Sequence, residues 1–145
     1  MSLDADHDRL LEMGAQHLIE TRSAQAYALP SQERTYVLAA RDRLSLDDLR
    51  EAMTVVYDAA GDAGPRRLLF WETKASKGFD RDVLDFYKEN RFESAPQPDE
   101  VAVVTGSRVV RMVVKTTGIG FRLFTGRSLR VYESIEAAVE GRGGE

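Results

Sequence analysis

The chain has 145 residues, of which 43% are hydrophobic and 30% charged, the size and composition of one globular domain. Its 20 basic and 24 acidic residues give a net charge of −4, which excludes a globally basic nucleic-acid binder. Cysteine is absent, so disulfides, thiolate nucleophiles and cysteine-based metal sites are excluded.

We expect three segments along the chain: a polar lead-in or short helix at 1–16, a single domain at 17–140, and a glycine-rich flexible tail at 141–145. No apolar run approaches the ~20 residues that span a bilayer. The acidic N-terminus also lacks the apolar core of a signal peptide. These features predict a cytoplasmic protein with no stable membrane insertion.

Residues 17–41 are predicted to form two antiparallel β-strands with an irregular join and a turn at 30–32. A helix is predicted to begin after Ser45, with Asp48 completing a weak capping box. The apolar residues that follow are spaced three and four apart, so they share one helix face: Leu46, Leu49, Met53, Val56 and Ala60.

The second half of the chain alternates short apolar strands with helices. Strands are predicted at 68–71, 101–104 and 129–132, with a loop at 72–79 after the first of them. Helices are predicted to begin at Asp80, Ser107 and Ser134. The order β-β-α-β-α-β-α-β-α predicts an α/β fold, in which helices pack on a mixed β-sheet.

This element order resembles the STAS fold, and three segments are similar to SpoIIAA-like (STAS/SEC14-related) bacterial proteins. The segments are the strand-to-helix entry at 43–49, the strand and turn Val-Ala-Val-Val-Thr-Gly-Ser at 101–107, and the closing segment at 129–138. The resemblance covers 35–139 and implies a SpoIIAA-like fold with a non-enzymatic role in regulation or protein interaction. The resemblance to SEC14-related domains implies an alternative function, the binding of a lipid-like or anionic small molecule.

Two departures from that family pattern concern its functional motifs. The usual closing Ala-Trp-Leu is here Ala138-Val139-Glu140, and the Asp-Ser-Ser-Gly phosphorylation motif of the antagonists is absent. Ser76 lies in the corresponding loop without a preceding aspartate, and it is the candidate phosphoacceptor.

The residues needed for catalysis do not form a recognisable set. His7 and His17 lie near the N-terminus, away from the strand-to-helix turns, and no G-x-S-x-G elbow is present. The acidic residues around His7 imitate a metal cluster but are interpreted as a solvated terminus. We therefore predict no enzyme activity, no metal and no cofactor.

The turn at 104–108 leads from a buried strand directly into a helix, where free N–H groups and the helix dipole attract anions. Gly106, Ser107 and Arg108 are the candidate anion-binding residues, and the alternative is that Ser107 is a plain N-cap. If the strands at 68–71 and 101–104 are parallel, the loops that follow them share the carboxyl edge of the sheet, where open α/β sheets bind ligands.

Charge is unevenly distributed, because residues 101–132 include six basic and no acidic side chains. Arg108, Arg111 and Lys115 are predicted to share one helix face, which is either a contact for an acidic, phosphorylated or membrane-surface partner or an ordinary solvated face. The apolar, glycine-rich segment at 117–126 offers further contacts through Phe121, Arg122 and Phe124, unless its aromatic rings are buried.

The sequence therefore predicts a protein-interaction module whose contacts lie at the carboxyl-edge loops and on the basic helix. Its protein partners are unnamed, a homodimer is one option, and no nucleic acid is expected. The alternative is a small-ligand binder that uses the same loops.

Overall fold

The computed structural model describes residues 5–83, 98–109, 111–112 and 128–141. Its helices are α1 (Ala5–Glu12), α2 (Leu46–Ala60) and α3 (Ile135–Glu140). Its strands are β1 (Gln16–Glu20), β2 (Ala24–Ala28), β3 (Thr35–Leu44), β4 (Arg67–Phe79), β5 (Glu100–Val104) and β6 (Ser128–Tyr132). Helical residues also follow β4, at 81–83, and β5, at 108–109 and 111–112. No helix in the described ranges is long and apolar enough to cross a membrane.

The six strands form one mixed sheet in the sequential order β1 to β6. The β1–β2 and β2–β3 pairs are antiparallel, and β3 to β6 are parallel. This arrangement confirms the predicted α/β fold with a mixed sheet. It also confirms that the strands preceding the two candidate loops are parallel neighbours, with Trp71 in register with Val104.

The N-terminal part contains three strands where the sequence predicted two. The part of 17–41 that precedes the turn at 30–32 forms β1 and β2, which are separated by a tight turn. Thr21 closes this turn, because its backbone N–H donates to the carbonyl of Ala24 at 2.7 Å and its hydroxyl accepts from the Ala24 N–H at 3.0 Å. The polar sequence Thr21-Arg22-Ser23 is therefore the turn of a hairpin.

The predicted loop at 72–79 is also wrong, because β4 continues through it to Phe79. β3 extends equally far and supplies the backbone partner, with Asp42 in register with Ser76 and Leu44 with Phe79. The pairing tolerates irregularities on both sides of Asp42, whose φ of 56° lies in the left-handed region. The extension of β4 therefore depends on pairing with β3, and the sequence of residues 72–79 alone does not indicate a strand.

Alternation along the strands places an apolar core on each face of the sheet. Val37 and Ala39 contribute to the core beneath α1 and α3, while Tyr36 and Leu38 contribute to the core beneath α2. α1 packs on the first core through Leu10, which is fully buried. Of the two forms considered for the N-terminal segment, a polar lead-in or a short helix, the structure has the helix.

The predicted helix starts at Ser45 and Ser134 are confirmed. Each hydroxyl accepts a hydrogen bond from a backbone N–H three residues on, at 3.2 Å in both cases. α3 ends at Gly141, which has the left-handed φ of 72° typical of a helix C-cap. The first residue of the expected tail is thus a structured cap, and residues 142–145 lie outside the described ranges.

Candidate functional site

The carboxyl edge of the parallel strands brings together two segments that are far apart in sequence. β4 and β5 are in register up to Trp71 and Val104, so Glu72 and Thr105 emerge side by side. The Thr105 hydroxyl donates to the Glu72 carboxylate at 3.0 Å. The sequence reasoning missed this pair, although the parallel pairing that it anticipated is what brings the two residues together.

The turn that leaves β5 is held by its own side chains. The Thr105 hydroxyl accepts from the Ser107 N–H at 3.1 Å, and the Ser107 carbonyl accepts from the Arg111 N–H at 3.0 Å. Ser107 thus begins the helical turn, while Gly106 is exposed. Because the Ser107 N–H is already engaged, the turn offers one donor fewer to an anion than the sequence suggested.

The arginines of this turn differ in their surroundings. Arg108 is exposed and has no hydrogen bond or ion pair among the described residues. The Arg111 guanidinium is paired with the Glu133 carboxylate, which lies just beyond β6, at 2.7 Å. Glu72 and Glu133 therefore bring negative charge to an edge whose own segment, 101–132, contains only basic charges.

Two apolar side chains are exposed on the same helical turn. Val109 is 72% exposed and Met112 is 70% exposed, and their spacing of three places them on neighbouring positions of one helix face. Exposure of this degree is unusual for two adjacent large hydrophobic residues, and it marks the turn as a candidate contact surface. Four other residues predicted for this surface, Lys115, Phe121, Arg122 and Phe124, lie outside the described residues.

Ser76, the candidate phosphoacceptor, lies within the extension of β4 rather than in a loop. Its side chain is half-buried, and its hydroxyl accepts from the Gly78 N–H at 3.3 Å. On the β3 side it is in register with Asp42, and the Lys77 ammonium is 4.0 Å from the Asp42 carboxylate. The described contacts do not bring Ser76 together with Ser107 or Arg108, so phosphorylation of Ser76 stays a prediction.

The two histidines, which are distant in sequence, are neighbours in the fold. The rings of His7 and His17 lie 5.1 Å apart, edge to face, and both pack against the Tyr27 ring. Nδ1 of His7 is 2.7 Å from the Tyr27 hydroxyl, which also contacts Gln25. Within the described ranges, no group of three or more histidine, cysteine or acidic side chains is arranged to hold a metal ion.

Comparisons with known proteins define the fold only. No family model matches the chain, and no curated protein matches its sequence. Among solved structures, the chain is similar to an uncharacterised protein of the DUF3478 family with a SpoIIAA-like fold from Shewanella loihica PV-4. The two share 12% identity over 88% of this chain and 90% of that one, with a TM-score of 0.55. The fold of this chain is therefore SpoIIAA-like, as its order of strands and helices and the three similar segments predicted.

Proposed function

We propose that this SpoIIAA-like domain is a non-enzymatic protein-interaction module that binds its partner through the helical turn that carries Val109 and Met112. The observation that carries the proposal is the pair of exposed apolar side chains, Val109 and Met112. Full burial of each would contribute about 1.5–3 kcal/mol of hydrophobic stabilisation to a complex. The exposed Arg108 lies next to Val109 and adds a positive charge at the rim of the same surface.

The charges define the kind of partner. Arg108 is unpaired among the described residues, whereas Arg111 already has Glu133. A protein segment with an apolar patch and a nearby carboxylate would bury Val109 and Met112 and pair with Arg108. Since rim charges act mainly on the rate of association, we expect the apolar pair to contribute most of the affinity.

The proposal is tested with the variant Val109→Ser/Met112→Ser, and with Leu11→Ser as matched control. Leu11 is 43% exposed and lies on α1, outside the turn. Proteins retained from a lysate of the source cells by immobilised wild-type protein are identified, purified and titrated calorimetrically against the three proteins. We expect a purified partner whose affinity falls at least tenfold for the double variant, is unchanged for Leu11→Ser, and is salt-dependent through Arg108.

Two results would overturn this function. The first is that every purified partner binds the double variant as tightly as wild type. The second is a wild-type dimer, seen by light scattering, that the double variant dissociates, because a second copy would then be the occupant of this surface. Ser76→Ala and Ser76→Asp are titrated in the same way. Equal affinities of these two variants for the partner would contradict the hypothesis that phosphorylation of Ser76 controls binding.

A further inference from the structure

A cleft of about 480 Å³ lies away from the carboxyl edge, where β4 and β5 begin and α3 ends. Its volume falls within the range of small-molecule sites in proteins. Arg66 and Arg67 border it from the start of β4, Arg130 and Tyr132 from β6, and Gly141 from the end of α3. None of these residues belongs to the surface proposed above.

One side of the cleft is formed by a buried arginine that makes four hydrogen bonds. Arg67 is 7% exposed, and its Nε and Nη2 atoms donate to the Glu100 carboxylate at 3.0 and 2.7 Å. The same guanidinium donates to the side-chain oxygen of Gln32 at 3.0 Å and to the Ala138 carbonyl at 2.8 Å. These bonds connect four separate segments, so this side is held rigidly and its positive charge is already neutralised by Glu100.

Two further guanidinium groups border the cleft with unused donors. Arg66 donates its Nε to the Glu33 carbonyl at 3.2 Å, and its terminal amino groups have no partner in the described part of the chain. The Arg130 Nε is 3.8 Å from the Glu100 carboxylate, which is too long for a hydrogen bond. Both Arg67 bonds end on Oε2 of Glu100, and no hydrogen bond of the Arg130 guanidinium joins it to the described residues, so its donors can serve another oxygen.

Tyr132 provides an independent sign of a missing partner. Its side chain is 1% exposed and borders the cleft, and its hydroxyl is buried with no hydrogen-bond partner among the described residues. Buried hydroxyls are nearly always paired in native proteins, because an unpaired one loses its bonds to water and gains none. An oxygen acceptor that reaches this hydroxyl from the cleft would supply the bond that the hydroxyl lacks.

We propose that this cleft binds the carboxylate or phosphate group of a small molecule through Arg66, Arg130 and the Tyr132 hydroxyl. The guanidinium fork and the phenol O–H are donors suited to an oxyanion. Asp99 and Glu140 also border the cleft and oppose anion entry, so binding depends on these specific donors rather than on a general positive potential.

Titration of ¹⁵N-labelled protein with sodium phosphate and with sodium succinate tests the site, with sodium chloride of equal ionic strength as control. We expect saturable amide shifts at Glu100, Arg130 and Gly141 with at least one of the two anions and none with chloride. Binding by phosphate alone would identify a phosphorylated ligand, and binding by succinate alone would identify a carboxylate.

Three variants separate the site from general charge effects. Arg130→Gln and Tyr132→Phe should each raise the dissociation constant, by at least tenfold for the arginine variant. Arg22→Gln, which removes an exposed arginine from the turn between β1 and β2, should leave it unchanged. Equal weakening by Arg22→Gln and Arg130→Gln, or shifts that chloride reproduces, would overturn the proposal. If the spectrum of Arg130→Gln shows loss of the fold, Arg66→Gln replaces it with the same expected result.

Discussion

The start of α2 is stabilised by Ser23, which lies in the turn between β1 and β2. This contact gives a quantitative prediction. The sequence suggested that Asp48 would cap the backbone of Ser45. Instead, the Asp48 carboxylate accepts from both the N–H and the hydroxyl of Ser23, at 2.9 and 2.5 Å. The Ser45 N–H donates to the Ser23 hydroxyl oxygen at 3.2 Å. Ser23 therefore accepts the hydrogen bond that the capping box would have assigned to Asp48.

Replacing Ser23 by alanine removes one hydrogen bond to a charged carboxylate, a loss of about 1.5–3 kcal/mol in the free energy of unfolding. The Ser45 N–H also loses its acceptor, but Ser45 is half-buried and water can replace that bond. We therefore expect Ser23→Ala to lower the free energy of unfolding by about 1.5–3 kcal/mol. Asp48→Asn keeps a hydrogen-bond acceptor and should lower it by about 1–2 kcal/mol, partly through the lost interaction with the helix dipole.

The same contact predicts a pH dependence. The hydrogen bond from the Ser23 hydroxyl holds the pKa of Asp48 below its ordinary value. Above the unfolded pKa of about 3.9 the carboxylate is charged in both states, so its stabilisation is present in full. That stabilisation is lost as the pH falls through the lower, folded pKa. The difference in stability between wild type and Asp48→Asn should therefore be constant near neutral pH and shrink in strong acid.

Urea unfolding of wild type, both single variants and the double variant, at several pH values, measures these effects. Because both substitutions remove the same contact, the double variant should be less destabilised than the sum of the two single variants. Additive losses, or a loss below about 0.5 kcal/mol for Ser23→Ala, would refute the idea that Ser23 and Asp48 form one cap. Thr54→Ala, on the exposed side of α2, serves as the control for helix propensity.

Two further predictions concern the end of α3 and the side of the cleft that Arg67 forms. Gly141→Ala should lower the free energy of unfolding by about 1 kcal/mol in thermal or urea unfolding, because φ is 72° there while nothing lies within 4 Å of the added Cβ. No measurable loss would show that this cap does not require glycine. Arg67→Met should cost about 3–5 kcal/mol, since it leaves Glu100 and the Ala138 carbonyl without their donor. Partial recovery in Arg67→Met/Glu100→Gln would confirm the pairing, and its absence would contradict it.

The parts of the fold that were predictable from sequence are those governed by local patterns. The three- and four-residue spacing of apolar side chains defined the buried face of α2, where Leu49, Met53 and Val56 are buried. The serines at 45 and 134 were predictable as N-caps because capping involves residues three positions apart. Short apolar runs also identified the parallel strands β4 and β5, whose Leu69 and Ala102 are fully buried.

The features that were missed depend on contacts between distant residues. The extension of β4 to Phe79 needs β3 as a partner, and nothing in the polar sequence around Ser76 indicates a strand. The Arg67 cluster joins residues separated by 33 to 71 positions, so no sequence window contains it. An arginine preceding an apolar strand is normally interpreted as a solvated end, and only the three-dimensional structure shows it buried.

The charge pattern shows why a count of basic residues is a poor guide to the site. The segment 101–132 has no acidic residue, which suggested a basic surface for anionic partners. In the fold, however, Glu133 neutralises Arg111, and the Arg130 guanidinium lies near Glu100 instead of beside the helical turn. Arg108 is exposed and has no ion pair among the described residues.

This redistribution of charge favours an apolar contact at the helical turn and an anion contact elsewhere. At the turn, one exposed arginine provides a weak, salt-screened attraction, whereas Val109 and Met112 offer surface whose burial is favourable at any ionic strength. At the cleft lie two arginines with unused donors and a buried tyrosine hydroxyl that has no hydrogen-bond partner, as far as the described residues go. The two surfaces use different physical forces, so high salt should weaken anion binding at the cleft much more than protein binding at the turn.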